Sequence, residues 1–132
     1  DVSIYSKACP LFVNLAEEGW WDNDITKMVA EEYLKELKQA QIDTLVLGCT
    51  HYPLLSNIIR EVMGDGVVLV SSAEELAIAL KELLQKENLQ SGSENVIYRY
   101  YTSDSVEKFK RLGEMILGKE LSNIERVDLE NY

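Results

Sequence analysis

The sequence predicts an α/β fold: a mainly parallel sheet flanked by helices. Two nearly continuous apolar runs, Asp43-Thr44-Leu45-Val46-Leu47 and Val67-Val68-Leu69-Val70, have the pattern of strands buried on both faces. Between and beside them lie segments with apolar residues at helical spacing. Strands that alternate with amphipathic helices imply parallel pairing and right-handed crossovers.

Each element follows in order. Val2-Ser3-Ile4-Tyr5 is strand-like and comes directly after Asp1, with no initiator methionine, as in a chain that begins partway through a larger protein; a tag-cleaved or proteolytic product would look the same. From Ile25 to Ala40 a helix is predicted, with Ile25, Met28, Val29, Tyr33, Leu37 and Ala40 on one face and Asp24 as its cap. After the first strand, which stops at Gly48, Pro53 suits the first turn of a helix that continues through Leu55, Ile58, Ile59 and Val62. Gly64 is expected to close that helix in a left-handed cap. The second strand runs into Ser72-Ala73-Glu74-Glu75, whose spacing matches a capping box for a helix to about Gln85. Beyond it, 96–101 reads as a strand, 106–117 as a helix stopped by Gly118, and 124–129 as a weak final strand.

The polar stretch 87–95, with Ser91-Gly92-Ser93 at its centre, is the one obvious seam. The expected organisation is therefore a domain over 1–86, a linker or exposed loop over 87–95, and a strand-helix-strand segment over 96–132.

Composition limits the function classes. The chain has 132 residues, 46% of them hydrophobic and 27% charged, which fits one ordinary globular domain rather than a disordered or low-complexity chain. A net charge of -10 disfavours docking on nucleic acid or anionic lipid. The sequence has no run of apolar residues long enough to span a membrane. Its two cysteines, Cys9 and Cys49, form no disulfide framework, so a reduced, cytoplasmic protein is expected.

In parallel α/β sheets, sites lie at the carboxyl ends of strands. Gly48-Cys49-Thr50-His51 occupies that position, ahead of an expected helix N-terminus that favours an anion. A helix terminus and a neighbouring imidazolium both lower a thiol pKa, and His51 is the chain's only histidine. A thiol so placed can act as base in one state and acid in the other. The residues alone leave a second reading open, in which Cys49 is a small buried hydrophobe and His51 a hydrogen-bonded core residue. Cys-x-His supplies fewer ligands than either kind of zinc site takes, so no metal is expected. A redox pair of Cys9 with Cys49 depends on a distance the sequence does not contain.

A resemblance decides between these readings. Leu45-Val46-Leu47-Gly48-Cys49-Thr50-His51-Tyr52-Pro53-Leu54-Leu55 resembles the second cysteine motif of glutamate racemases almost letter for letter. Ala8-Cys9-Pro10-Leu11-Phe12-Val13 with Glu17, then 68–75 and 100–103, resemble further family segments, so the likeness covers essentially the whole chain. Relatives in the wider aspartate/glutamate racemase group commonly place glutamate where this chain has His51, so the motif favours glutamate as substrate.

The resemblance implies the C-terminal half of a two-domain architecture. It also implies a cofactor-independent racemisation of L- and D-glutamate by two thiols on opposite faces of Cα, which supplies D-glutamate for peptidoglycan. By this analogy Cys49 removes the proton from L-glutamate, His51 assists it, and Thr50 binds substrate through its hydroxyl or amide. Glu17 would stand at the mouth of the site, although a solvated glutamate beside Glu18 fits the same position. Trp20 and Trp21 are expected to be packing or interface residues rather than ligands.

The family's first thiol precedes the segment matched here. The isolated chain is accordingly expected to be inactive, to partner the missing N-terminal half, and to self-associate. Two departures stand out: Asn14 where proline is usual, and Ser71 where an aspartate usually precedes the serine. The second puts helix capping in doubt. A non-catalytic remnant or binding module of the same fold is the alternative.

Overall fold

The computed structural model describes residues 2–92 and 95–131. Ser93 and Glu94, in the expected linker, lie outside the described residues. The chain divides into two compact units, Asp1–Leu89 and Gln90–Tyr132.

In the first unit, residues 2–9 have no regular structure, and Val2, Ile4 and Tyr5 are exposed, so the strand expected at 2–5 does not form. Among the described residues no strand pairs with this segment, and its apolar side chains stay in water. The chain enters helix α1 (Pro10–Glu17), which the periodicity had not revealed. Pro10 stands in the first turn, where its missing N–H costs nothing, and Phe12 and Ala16 are buried. Helix α2 (Asp24–Gln39) starts one residue earlier than expected. Asn23 caps it by accepting from the Thr26 amide at 2.9 Å.

The buried face of α2 is also rotated from the predicted one. Thr26, Ala30, Leu34 and Leu37 point inward, whereas Ile25 and Met28 are exposed. The reason is tertiary: small Ala30 lets α2 approach its neighbours closely. The Thr26 hydroxyl is satisfied by donating to the Trp20 carbonyl at 2.6 Å, so a polar residue can face inward without penalty.

Strand β1 (Thr44–Leu47) pairs in parallel with β2 (Val68–Ser71), Leu45 opposite Leu69 and Leu47 opposite Ser71. Between them run a 3₁₀ turn (Tyr52–Leu55) and helix α3 (Ser56–Met63). One core joins α1, α2, the turn, α3 and Leu47. The strands alternate accordingly. Leu45, Leu47 and Leu69 face that core, while Val46 and Val68, each 62% exposed, face the other way. Burial on both faces is therefore corrected, because helices cover only one face in this unit.

Two caps also differ from expectation. Gly64 has φ 88° and ψ 164°, an extended conformation open to glycine rather than a left-handed cap. Ser71, not Ser72, caps α4 (Ser72–Lys86), accepting from the Glu74 amide at 3.4 Å. Serine in place of aspartate therefore keeps the cap and gives up only the charge.

The second unit contains β3 (Tyr100–Thr102), α5 (Val106–Leu117) and β4 (Ile124–Arg126), followed by a 3₁₀ turn (Leu129–Asn131). Strands β3 and β4 pair in parallel, and Gly118, at φ 63° and ψ 22°, is a true left-handed cap. Both strands are shorter than predicted. Val96 and Ile97 are exposed and unpaired with β4, whose register begins at Tyr100 opposite Ile124.

Phe12 is the largest fully buried side chain of the first unit, at 1% exposure. Phe12→Ala is expected to destabilise the chain by about 3–5 kcal/mol. Val46→Ser, on the uncovered sheet face, should cost far less. Urea denaturation of the two variants checks the ranking.

Candidate active site

The loop Gly48–His51 leaves β1 between two buried anchors, Leu47 behind it and Leu55 ahead. The turn that follows is tied back to the loop. The Tyr52 amide donates to the Cys49 carbonyl at 3.1 Å, and the Leu54 amide donates to the His51 carbonyl at 3.1 Å. Pro53 in the first turn and these tight bonds make it a 3₁₀ turn, so α3 begins only at Ser56. The expected helix N-terminus directly behind Cys49 is thus corrected to a single 3₁₀ turn.

Cys49 is half-buried and free. Its Sγ lies 3.8 Å from His51 Nδ1, and His51 Nε2 lies 3.5 Å from Glu17 Oε1. Thiol, imidazole and carboxylate therefore line up in one relay, with Glu17 delivered by the last turn of α1. His51 and Glu17 are 33% and 39% exposed, so solvent weakens their attraction, and the contact orients the ring more than it binds it. A carboxylate on one ring nitrogen favours the proton there and leaves the other nitrogen to face the thiol. Such an arrangement can move a proton to and from Cys49.

Of the residues singled out in the sequence, Cys49, His51 and Glu17 come together, while Thr50 is exposed at the loop's tip. His51 is not a core residue. Cys9 differs from Cys49: it is 3% exposed, and burial pushes its thiol pKa up, with the Lys7 charge partly opposing the shift. Both cysteines are free.

Tyr52 had no assigned role in the sequence reading. Its hydroxyl accepts from the Cys9 amide and donates to the Cys9 carbonyl, both at 3.3 Å. Burial pushes its pKa up, with the Cys9 hydrogen bond opposing. No sequence signal separates this tyrosine from one that merely packs. Trp21 donates to the Ala16 carbonyl at 2.8 Å and packs against the core, in keeping with a structural role, while Trp20 is half-exposed.

Among the described residues, no group of three or more His, Cys, Asp or Glu side chains is placed to hold a metal ion. None of the described helices is long and apolar enough to cross a membrane.

A parallel α/β unit with a thiol–imidazole–carboxylate relay at the carboxyl end of a strand is a framework for acid–base chemistry. Comparison with known proteins narrows the class. The chain is similar to glutamate racemases: it is 47% identical to the glutamate racemase of Geobacter metallireducens over 131 residues, covering 98% of this chain and 48% of that protein. It superposes on glutamate racemase isoform RacE1 of Bacillus anthracis with a TM-score of 0.87 at 36% identity, covering 97% of this chain and 48% of that one. The glutamate racemase of Francisella tularensis, solved in complex with D-glutamate, gives a TM-score of 0.86 at 36% identity, covering 99% of this chain and 49% of that one. The chain thus spans about half the length of the relatives it matches. No protein-family model matches it.

The two thiols should be separable chemically. Iodoacetamide at neutral pH is expected to label Cys49 and spare Cys9 in the folded chain, and to label both after denaturation; peptide mass spectrometry reads the difference. The raised Cys9 pKa also has a sign for stability. Its neutral thiol contributes fully below the ordinary thiol range, and that contribution is lost as pH rises through the elevated folded value. Cys9→Ala should therefore flatten the alkaline fall in stability.

Proposed function

We propose that this chain is the C-terminal part of a cofactor-independent glutamate racemase and carries one of its two catalytic thiols. The observation that carries the reading is the relay from Glu17 through His51 to Cys49, set in a sequence 47% identical to a glutamate racemase. Cys49 as thiolate removes the Cα proton of L-glutamate, or as thiol delivers one, and His51 takes up or returns the thiol proton. Thr50, exposed beside the thiol, binds substrate through its hydroxyl or amide, and Glu17 stands at the mouth of the site. D-Glutamate bound to the Francisella relative supports glutamate as the substrate class here. In the whole protein the reaction is cytoplasmic and supplies D-glutamate for peptidoglycan.

One thiol serves one face of Cα. A planar carbanion reprotonated from the face it left returns the starting enantiomer; Cys9 is buried in the core, so in this reading the second thiol comes from outside this chain. In this reading 1–86 is the racemase domain that carries Cys49, 87–95 is the connecting segment, and 96–132 packs on the missing half.

The chain alone is expected to form no D-glutamate from L-glutamate at enzymic rates, on the order of one per second or faster. Combined with the missing half, it should racemise. Cys49→Ser should then lower the rate by about 100-fold or more, while Cys9→Ser leaves it within a few-fold. Chiral chromatography measures both, and equal losses in two folded variants would overturn the assignment of roles.

Self-association is the further expectation. Val46 and Val68 on the sheet, with Leu76, Ile78, Leu80 and Leu83 on α4, are large apolar side chains left in water, and such surfaces recruit partners. Light scattering at micromolar concentration should report a species heavier than 15.0 kDa; a strict monomer would contradict it.

A further inference from the structure

Two consecutive residues, the last of the loop and the first of the 3₁₀ turn, hold opposite ends of one helix. His51 meets Glu17, the last residue of α1, while Tyr52 holds Cys9, the residue immediately before its first turn. An eight-residue helix is about 12 Å long. Helix α1 therefore lies along the catalytic loop as a brace, fixed at both ends by neighbouring side chains.

The two kinds of contact along α1 do different work. Phe12 and Ala16 are buried and hold the helix down on the core, but apolar burial is non-directional and leaves sliding along the axis weakly determined. Hydrogen bonds are directional. The Tyr52 hydroxyl both accepts from and donates to the backbone of Cys9, so it resists displacement of that point either way. The Cys9 carbonyl is also where the Phe12 amide bonds at 3.1 Å, so fixing Cys9 fixes the first turn. At the same time the Tyr52 amide holds the Cys49 carbonyl. One residue thus ties the start of α1 to the loop that carries the thiol.

We propose that Tyr52 is a positioning residue: its hydroxyl sets the axial placement of α1 and, through it, the meeting of Glu17 with His51. Its importance for racemisation rests on the function proposed above, whereas the brace is measured in this chain alone. Failure of one therefore leaves the other standing. Tyr33 supplies a matched control. Its hydroxyl accepts from the Leu11 amide at 3.4 Å, at the same end of α1, but it belongs to α2 and reaches Tyr52 only through ring packing on Phe12, which loss of the hydroxyl leaves in place.

The test uses the chain labelled with ¹⁵N. His51 is the only histidine, so one set of imidazole nitrogen shifts reports its partner at fixed pH. Glu17→Gln defines the signature of a lost carboxylate. Tyr52→Phe is expected to move the shifts in the same direction and at least half as far, and Tyr33→Phe to leave them in place. In the Glu17→Gln background, Tyr52→Phe should add nothing, which separates action through Glu17 from a direct effect of the neighbouring ring.

A His51 spectrum unchanged by Tyr52→Phe, or an undiminished effect in the Glu17→Gln background, overturns the proposal. Should Tyr52→Phe fail to fold, linkage supplies the reverse measurement. If the Cys9 end supports the Glu17 end, then Glu17→Gln must loosen Cys9, and hydrogen exchange of its amide should speed up by about fivefold or more. Unchanged exchange at Cys9 rejects the brace.

Discussion

Phe12 is the contact on which the first unit depends. Its ring meets Tyr33 of α2 edge-on at 5.5 Å and Tyr52 of the 3₁₀ turn edge-on at 5.4 Å, so one side chain from a short helix joins three parts of the chain. Edge-to-face pairs contribute about 0.5–1.5 kcal/mol each beyond the area they bury. An eight-residue helix has little stability of its own and exists here because tertiary packing holds it. Without that packing Glu17 would have no fixed position, and the imidazole of His51 would lose its carboxylate.

The same dependence explains what the sequence revealed and what it concealed. The loop was legible because it is local: an apolar run stopped by glycine, then Cys-Thr-His-Tyr-Pro, marks a strand end and a turn without reference to the rest of the chain. Helix α1 was not legible. It buries only Phe12 and Ala16, too few positions to establish a helical period, and its start is marked by proline alone. The inward face of α2 was misread for a related reason. Ile25 and Met28 are more hydrophobic than Thr26 and Ala30, but the helix is turned by how closely its neighbours approach and by the hydrogen bond available to Thr26.

The site shows the same division. The sequence held Cys49 and His51 two residues apart, and the structure keeps them in contact because the 3₁₀ turn fixes the backbone behind them. Glu17 was singled out only through resemblance, since nothing in the 33 residues between it and His51 signals that α1 will return to the loop. Tyr52 shows the limit most sharply. A hydroxyl that bonds both backbone groups of one distant residue is visible only once the chain has folded.

The uncovered surfaces and the single thiol are two aspects of one incompleteness in the proposed reading. A strand such as Leu45-Val46-Leu47, apolar on both sides, is suited to burial on both faces, yet here Val46 faces water. A lone acid–base thiol beside an imidazole suits proton removal from one face of a carbon, but racemisation requires a second group opposite. Packing alone would be satisfied by any apolar surface, including another copy of this chain. The chemistry is more selective, because the covering surface must also present a thiol to the far face of Cα. A second copy can relieve the exposed valines and leucines without supplying that thiol in the required place. Association and activity therefore need not appear together, and an inactive oligomer is the state the two constraints favour for the chain by itself.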